Sequence, residues 1–198
     1  MARTIPDDPV HPLLSYRLTI CGLRELDSYC ADGVTHVLSI LDPDWPDPES
    51  FAAYGPHARE IFHFDDVVET KEGMVGPGIA DIERLLRFGD RLSQEDVAHL
   101  LVHCHAGVSR STAAAAILMS QHNPGREAEA FAYIARIRPR SWPNSLMVRM
   151  ADERLGREGA LIEGLREHHR RVARDHPDLA ELIRLHGRAH EIPEDLLD

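Results

Sequence analysis

The chain has 198 residues, enough for one domain with a real core and a terminal extension, and its 33 acidic against 22 basic side chains give a formal net charge of −11. That surplus argues against nonspecific binding to nucleic acid or to an anionic membrane. Three cysteines, Cys21, Cys30 and Cys104, are too few for a disulfide framework, no apolar run approaches the roughly 20 residues of a membrane helix, and the amino terminus lacks a secretory pattern, so a soluble cytoplasmic protein is expected.

Residues 1–12 are rich in proline and aspartate and read as an irregular arm. Residues 16–21 (YRLTIC) alternate as a strand does, residues 23–31 read as a short helix ended by Gly33, and residues 34–41 (VTHVLSIL) form a second, β-branched and more buried strand. The long stretch 42–60 that follows is a loop carrying Trp45, Phe51 and Tyr54. Residues 61–64 (IFHF) are a third strand. Residues 77–92 space Ile79, Ile82, Leu85, Leu86 and Phe88 as one face of a helix, and residues 97–102 (VAHLLV) are a fourth strand.

An alanine-rich helix over 111–120, a turn at 122–125 (HNPG), a helix over 126–137 stopped by Pro139 and a further helix over 145–155 complete the pattern. Strands alternating with helices imply an α/β fold with a mostly parallel central sheet flanked by helices on both faces, a design that seats ligands outside the carboxyl ends of the strands. Residues 1–155 are expected to form the main domain and residues 156–198 a helical C-terminal extension. Leu161, Leu165, Val172, Leu179, Leu182, Ile183 and Leu185 give that extension apolar faces for docking on the core or on another subunit, and its histidines, His168, His169, His176, His186 and His190, read as exposed groups on a charged helix.

Residues 103–112 read HCHAGVSRST. The segment joins a strand to a helix N-terminus, where unpaired backbone N–H groups and the positive end of the helix dipole favour a dianion. His105, Ala106, Gly107, Val108 and Ser109 would supply the amides, with Gly107 allowing the turn. Arg110 offers a planar fork that holds two phosphoryl oxygens at once. The same field favours thiolate over thiol, which makes Cys104 a candidate nucleophile. Consecutive strand residues point to opposite faces, so His103, Cys104 and His105 do not make a metal site, and no metal or other cofactor is expected.

His103, Cys104, Gly107, Arg110 and Ser111 match the signature of the cysteine-dependent protein tyrosine phosphatases. The chain resembles in particular their small dual-specificity-like branch, of bacterial type. Residues 138–144 (RPRSWPN) resemble that family's R-P-x-x-x-P-N element, and the likeness spans roughly residues 16–155. The resemblance implies a protein-tyrosine or dual-specificity phosphatase-like phosphomonoesterase. In it Cys104 attacks phosphorus, Arg110 holds the phosphoryl group and Ser111 assists the thiolate as leaving group. His103 holds the loop and tunes the thiol, and Asn144 braces the loop.

Expulsion of the ester oxygen calls for a proton donor, and Asp65 and Asp66 directly follow the third strand. Aligning FHFDD with the family's acid loop puts Asp66 in the catalytic slot, with a turn cap as the plainer role for either carboxylate. The glycines at 73, 76 and 78 would let the following loop close over substrate. The phosphate loop carries no lysine, which suits a single phosphate, and His105 at its rim would add partial positive charge in mild acid. The expected partner is a phosphorylated protein or a small phosphate monoester, not nucleic acid or membrane. The alternatives are an RNA 5′-triphosphatase and a catalytically inactive phosphopeptide-binding module.

Overall fold

The structure is a computed structural model that describes residues 13–193; the arm expected over residues 1–12 lies outside them. Four parallel strands, β1 (Arg17–Gly22), β2 (His36–Leu41), β3 (Ala58–His63) and β4 (His99–Cys104), form one sheet in the order β1-β4-β2-β3. Among the described residues six α-helices accompany it: α1 (Ile79–Leu92), α2 (Arg110–Gln121), α3 (Glu127–Ile137), α4 (Ser145–Leu155), α5 (Ala160–Asp175) and α6 (Pro177–Ile183).

The two-residue period of the strands sorts their side chains. Leu18, Ile20, Leu38, Ile40, Leu100, Val102 and Cys104 face the main core with α1 to α5, while Cys21, Val37 and Leu101 face a smaller core with Leu26 and Phe51. The second face is covered by two 3-10 helices, Leu23–Tyr29 and Glu49–Ala53, where the sequence pattern suggested an α-helix for the first and open loop for the second. Strand order explains the split. The β1–β2 and β2–β3 connections run toward the same sheet edge and share a face, whereas the return from β3 to β4 crosses on the other, as right-handed crossovers require.

The consequence for function is a switch point. Neighbouring strands β4 and β2 send their following segments to opposite faces, which opens a crevice beyond Cys104 and Asp42. Helix α2 runs from this crevice through the molecule, buried from Arg110 to Ser120, with small alanines that let neighbouring elements approach closely.

Helix α5 corrects one expectation. His168 and His169 are buried, because they continue the stripe of Leu161, Gly164, Leu165 and Val172 that packs against α3 and α4. A Cβ at Gly164 would lie 2.8 Å from the Phe131 ring, so α3 and α5 meet where the side chain is missing. His168 hydrogen bonds Ser141, and His169 stacks on Trp142 with ring centroids 4.1 Å apart. Burial lowers both imidazoles' pKa values, that of His168 to about 4, so both are neutral at pH 7. No helix among the described residues is long and apolar enough to cross a membrane.

Candidate active site

Cys104 ends β4 and is buried, its Sγ 3.2 Å from the Ser111 hydroxyl in the first turn of α2. Between them the chain makes a tight loop with Gly107 at φ 68°, a left-handed conformation. A Cβ on Gly107 would come within 2.5 Å of the Cys21 backbone carbon, so space and backbone angle both demand glycine.

The carbonyls of the loop are all held from outside. His105 O accepts from Leu23 N, Ala106 O and Gly107 O accept from the Arg138 guanidinium, Val108 O accepts from Trp142 N, and Ser109 O accepts from Asn144 N. Arg138 is itself held in two hydrogen bonds by the Glu25 carboxylate. The amide N–H groups of residues 105–109, by contrast, donate to no acceptor among the described residues. Carbonyls tied outward and amides unspent make a concave set of donors, the form of backbone that binds anions.

Arg110 is buried beside this loop. Its Nη1 donates to Asp42 Oδ1 and to Phe64 O, each at 2.6 Å, while its buried Nε has no partner among the described residues. One nitrogen therefore anchors the guanidinium and leaves the Nε edge for a ligand oxygen.

His103 points to the opposite side of the sheet and hydrogen bonds Ser39 across β2 at 2.7 Å. Burial pulls its pKa down to about 4, so the imidazole behind the loop is neutral and supplies no full charge to the cysteine. His105 departs from the expected role. Its Nε2 accepts the Asp42 amide N–H, burial lowers its pKa, and it meets the Trp45 ring edge-on at 4.4 Å, so its surroundings disfavour the positive charge expected at the rim. Trp45 is exposed, whereas Phe51 and Tyr54 are anchors: Phe51 is buried in the smaller core, and the Tyr54 hydroxyl donates to Leu26 O.

The two aspartates after β3 part company. Asp65 ties the base of its own loop, its amide and carboxylate pairing with Val75 O and Val75 N. Asp66 turns to the phosphate loop, where its Oδ1 accepts from Ser109 Oγ at 2.7 Å and from Asn144 Nδ2 at 2.9 Å. Its Oδ2 takes no hydrogen bond among the described residues. Asn144 also donates to Val67 O, Arg149 to Val68 O, and a Cβ on Gly76 would strike the Val67 side chain at 2.7 Å. Gly76 thus serves packing at the loop's base, and the exposed stretch is residues 69–75.

Asp42, Glu25, Arg138, Ser39 and Arg188 escaped the sequence reading in any site role. Two of them left a signal: Asp42, as a carboxylate directly after a strand that borders the crevice, and Arg138, as the opening residue of the 138–144 element. All three cysteines are free thiols, and burial raises that of Cys21 well above the usual range.

No family model and no curated protein matches the chain. Solved structures do. A mouse protein assigned as a dual specificity phosphatase, complexed with zinc tungstate, aligns with TM-score 0.57 and 17% identity over 82% of this chain and 95% of that one. Human DUSP28 aligns with TM-score 0.54 and 18% identity over 74% of this chain and 94% of that one. The human tyrosine phosphatase-like serine/threonine/tyrosine-interacting protein follows with TM-score 0.51 and 20% identity, over 70% and 91%. The chain has the dual-specificity phosphatase fold. Within that fold, Cys104 lies at the junction of β4 and α2.

Proposed function

We propose that this protein is a phosphomonoester hydrolase of the dual-specificity type, working through a cysteinyl-phosphate. The observation that carries the reading is the loop after Cys104, with its carbonyls held outward, its amides free and the Nε of Arg110 unpartnered. These are the donors that a tetrahedral dianion and its spreading equatorial charge require.

In the first step Cys104 Sγ attacks phosphorus in line, an S–P bond forms and the ester P–O bond breaks. Asp66 gives a proton from Oδ2 to the departing oxygen while Ser109 and Asn144 steady Oδ1. In the second, Asp66 takes a proton from water as the water oxygen attacks phosphorus. The S–P bond then breaks, inorganic phosphate leaves, and the Ser111 hydroxyl donates to the returning thiolate. Arg110 holds the phosphoryl oxygens throughout, with Asp42 fixing its plane. Asn144 links the acid segment to the phosphate loop, and the neutral His103 supports the loop from behind by steric packing and its bond to Ser39.

The substrate class is a phosphorylated protein side chain or a small monoester with one phosphate, presented past Trp45. Steady-state hydrolysis of an aryl phosphate by wild type and by Cys104→Ser tests the reading. Turnover in the wild type that disappears in the variant is the expected result, and equal rates in the two proteins would sink it.

A further inference from the structure

We propose that Arg188, carried by the C-terminal extension, is a positioning residue for the acid Asp66, so that the docked tail is a working part of the catalytic centre. The inference rests on the phosphatase reading given above. Beyond α6 the chain turns at Gly187, φ 79°, and sends Arg188 back into the protein, where it is buried. Its Nη1 lies 3.1 Å from Ser109 Oγ and 3.7 Å from Asp66 Oδ1.

The chemistry of a hydroxyl makes this arrangement directional. Ser109 has one proton and two lone pairs, and a guanidinium has only donors. With Arg188 donating to Ser109, the single Ser109 proton is committed to Asp66 Oδ1, 2.7 Å away. That bond fixes the carboxyl's orientation and with it the direction of Oδ2. Without Arg188 the hydroxyl is free to rotate and Asp66 keeps only the Asn144 bond on that oxygen.

The tail is built to hold Arg188 there. Its Nε donates to Glu191 Oε2 at 2.6 Å, and the same oxygen accepts from the Trp142 indole at 2.9 Å. Trp142 is fully buried among Val172, Leu179, Ile183 and Ile192, and its own amide holds Val108 O of the phosphate loop. A buried cation is tolerated because the Glu191 carboxylate pairs with its Nε inside the protein.

The test compares Arg188→Ala and Arg188→Gln in the full chain on two esters. Phenyl phosphate has a leaving group that needs a proton, and 2,4-dinitrophenyl phosphate has one that does not. For Arg188→Ala, kcat/KM, which reports the first step alone and so excludes the hydrolysis step common to both esters, is expected to fall on the order of 10-fold on phenyl phosphate, against less than about 2-fold on the dinitrophenyl ester. In an Asp66→Asn background the same change is expected to cost nothing further on phenyl phosphate. An equal loss on both esters, or an undiminished loss in the Asp66→Asn background, overturns the proposal and leaves Arg188 a structural prop.

Should Arg188→Ala not fold, as thermal unfolding would reveal, Arg188→Gln carries the test. A loss selective for phenyl phosphate supports the proposal, and an equal loss or none overturns it. A wild type that hydrolyses neither ester defeats the phosphatase reading itself, and the positioning role with it, which is a different result from equal losses in an active enzyme.

Discussion

The phosphate loop and the segment bearing Asp66 meet through a few atoms, yet they are held in different ways. The carbonyls of residues 105–109 are tied to Leu23, Arg138, Trp142 and Asn144, with Arg138 holding two of them, and Gly107 has no room for a Cβ. The acid segment is pinned at its base, by Asp65 to Val75 and by Asn144 and Arg149 to residues 67 and 68, while residues 69–75 are exposed. The loop's shape is therefore set many times over, as a site that must present free amides requires. Asp66 is aimed by a small hydrogen-bonded set, and on the proposed reading changes there should cost chemistry before they cost stability.

The largest expected effect separates the two aspartates. Asp66→Ala should lower kcat on a phenyl ester by roughly 10² to 10⁴ fold with little change in unfolding midpoint. Asp65→Ala, which frees Val75 at the base of the loop, should do far less to kcat; a greater loss from it would reverse the assignment of the acid. Next comes the loop itself. Gly107→Ala should lose both turnover and stability, by about 3 kcal/mol or more, because the displaced neighbour is backbone and the φ is left-handed. A denaturant midpoint unchanged in that variant would contradict the account of the loop as over-determined.

Acid should weaken the fold through the buried histidines. His103 and His168 have folded pKa values depressed to about 4, against about 6.5 when unfolded, so the unfolded chain binds the extra protons. Stability is complete above pH 6.5 and declines as the pH falls toward 4, by about 2 kcal/mol per histidine at pH 5. Urea midpoints at pH 7 and pH 5 measure this, and His168→Gln should flatten the difference if the variant folds. The smallest effect belongs to the rim. Trp45→Ala is expected to raise KM for an aryl phosphate by roughly 3-fold with kcat unaltered, and an unchanged KM would remove Trp45 from substrate contact.

Much of this was legible in order along the chain. The strands show in their two-residue alternation, α1 in its 3.6-residue spacing, and the phosphate loop in a cysteine, a glycine and an arginine at fixed offsets. The place of Asp65 and Asp66 after β3 marked both as candidate acids, the family resemblance singled out Asp66, and that Asp66 is the one turned toward Ser109 and Asn144 is a matter of the fold. Local features are readable because neighbours in sequence determine them: a strand's pleat, a helix's period, a glycine's φ.

What only the tertiary structure decided depends on residues far apart in the chain. Asp42 reaches Arg110 because β2 and β4 lie side by side, and Glu25 and Arg138 meet because residues 105–107 pack against both Leu23 and Arg138. His168 and His169 look like surface groups in a charged run until α5 is laid against α3, and Arg188 has no visible purpose until the tail folds back onto Ser109. The reason is physical. The ring of free amides after Cys104 is a property of one short segment of backbone, whereas burial, ion pairing and the aim of a carboxylate are properties of whatever the fold brings beside it.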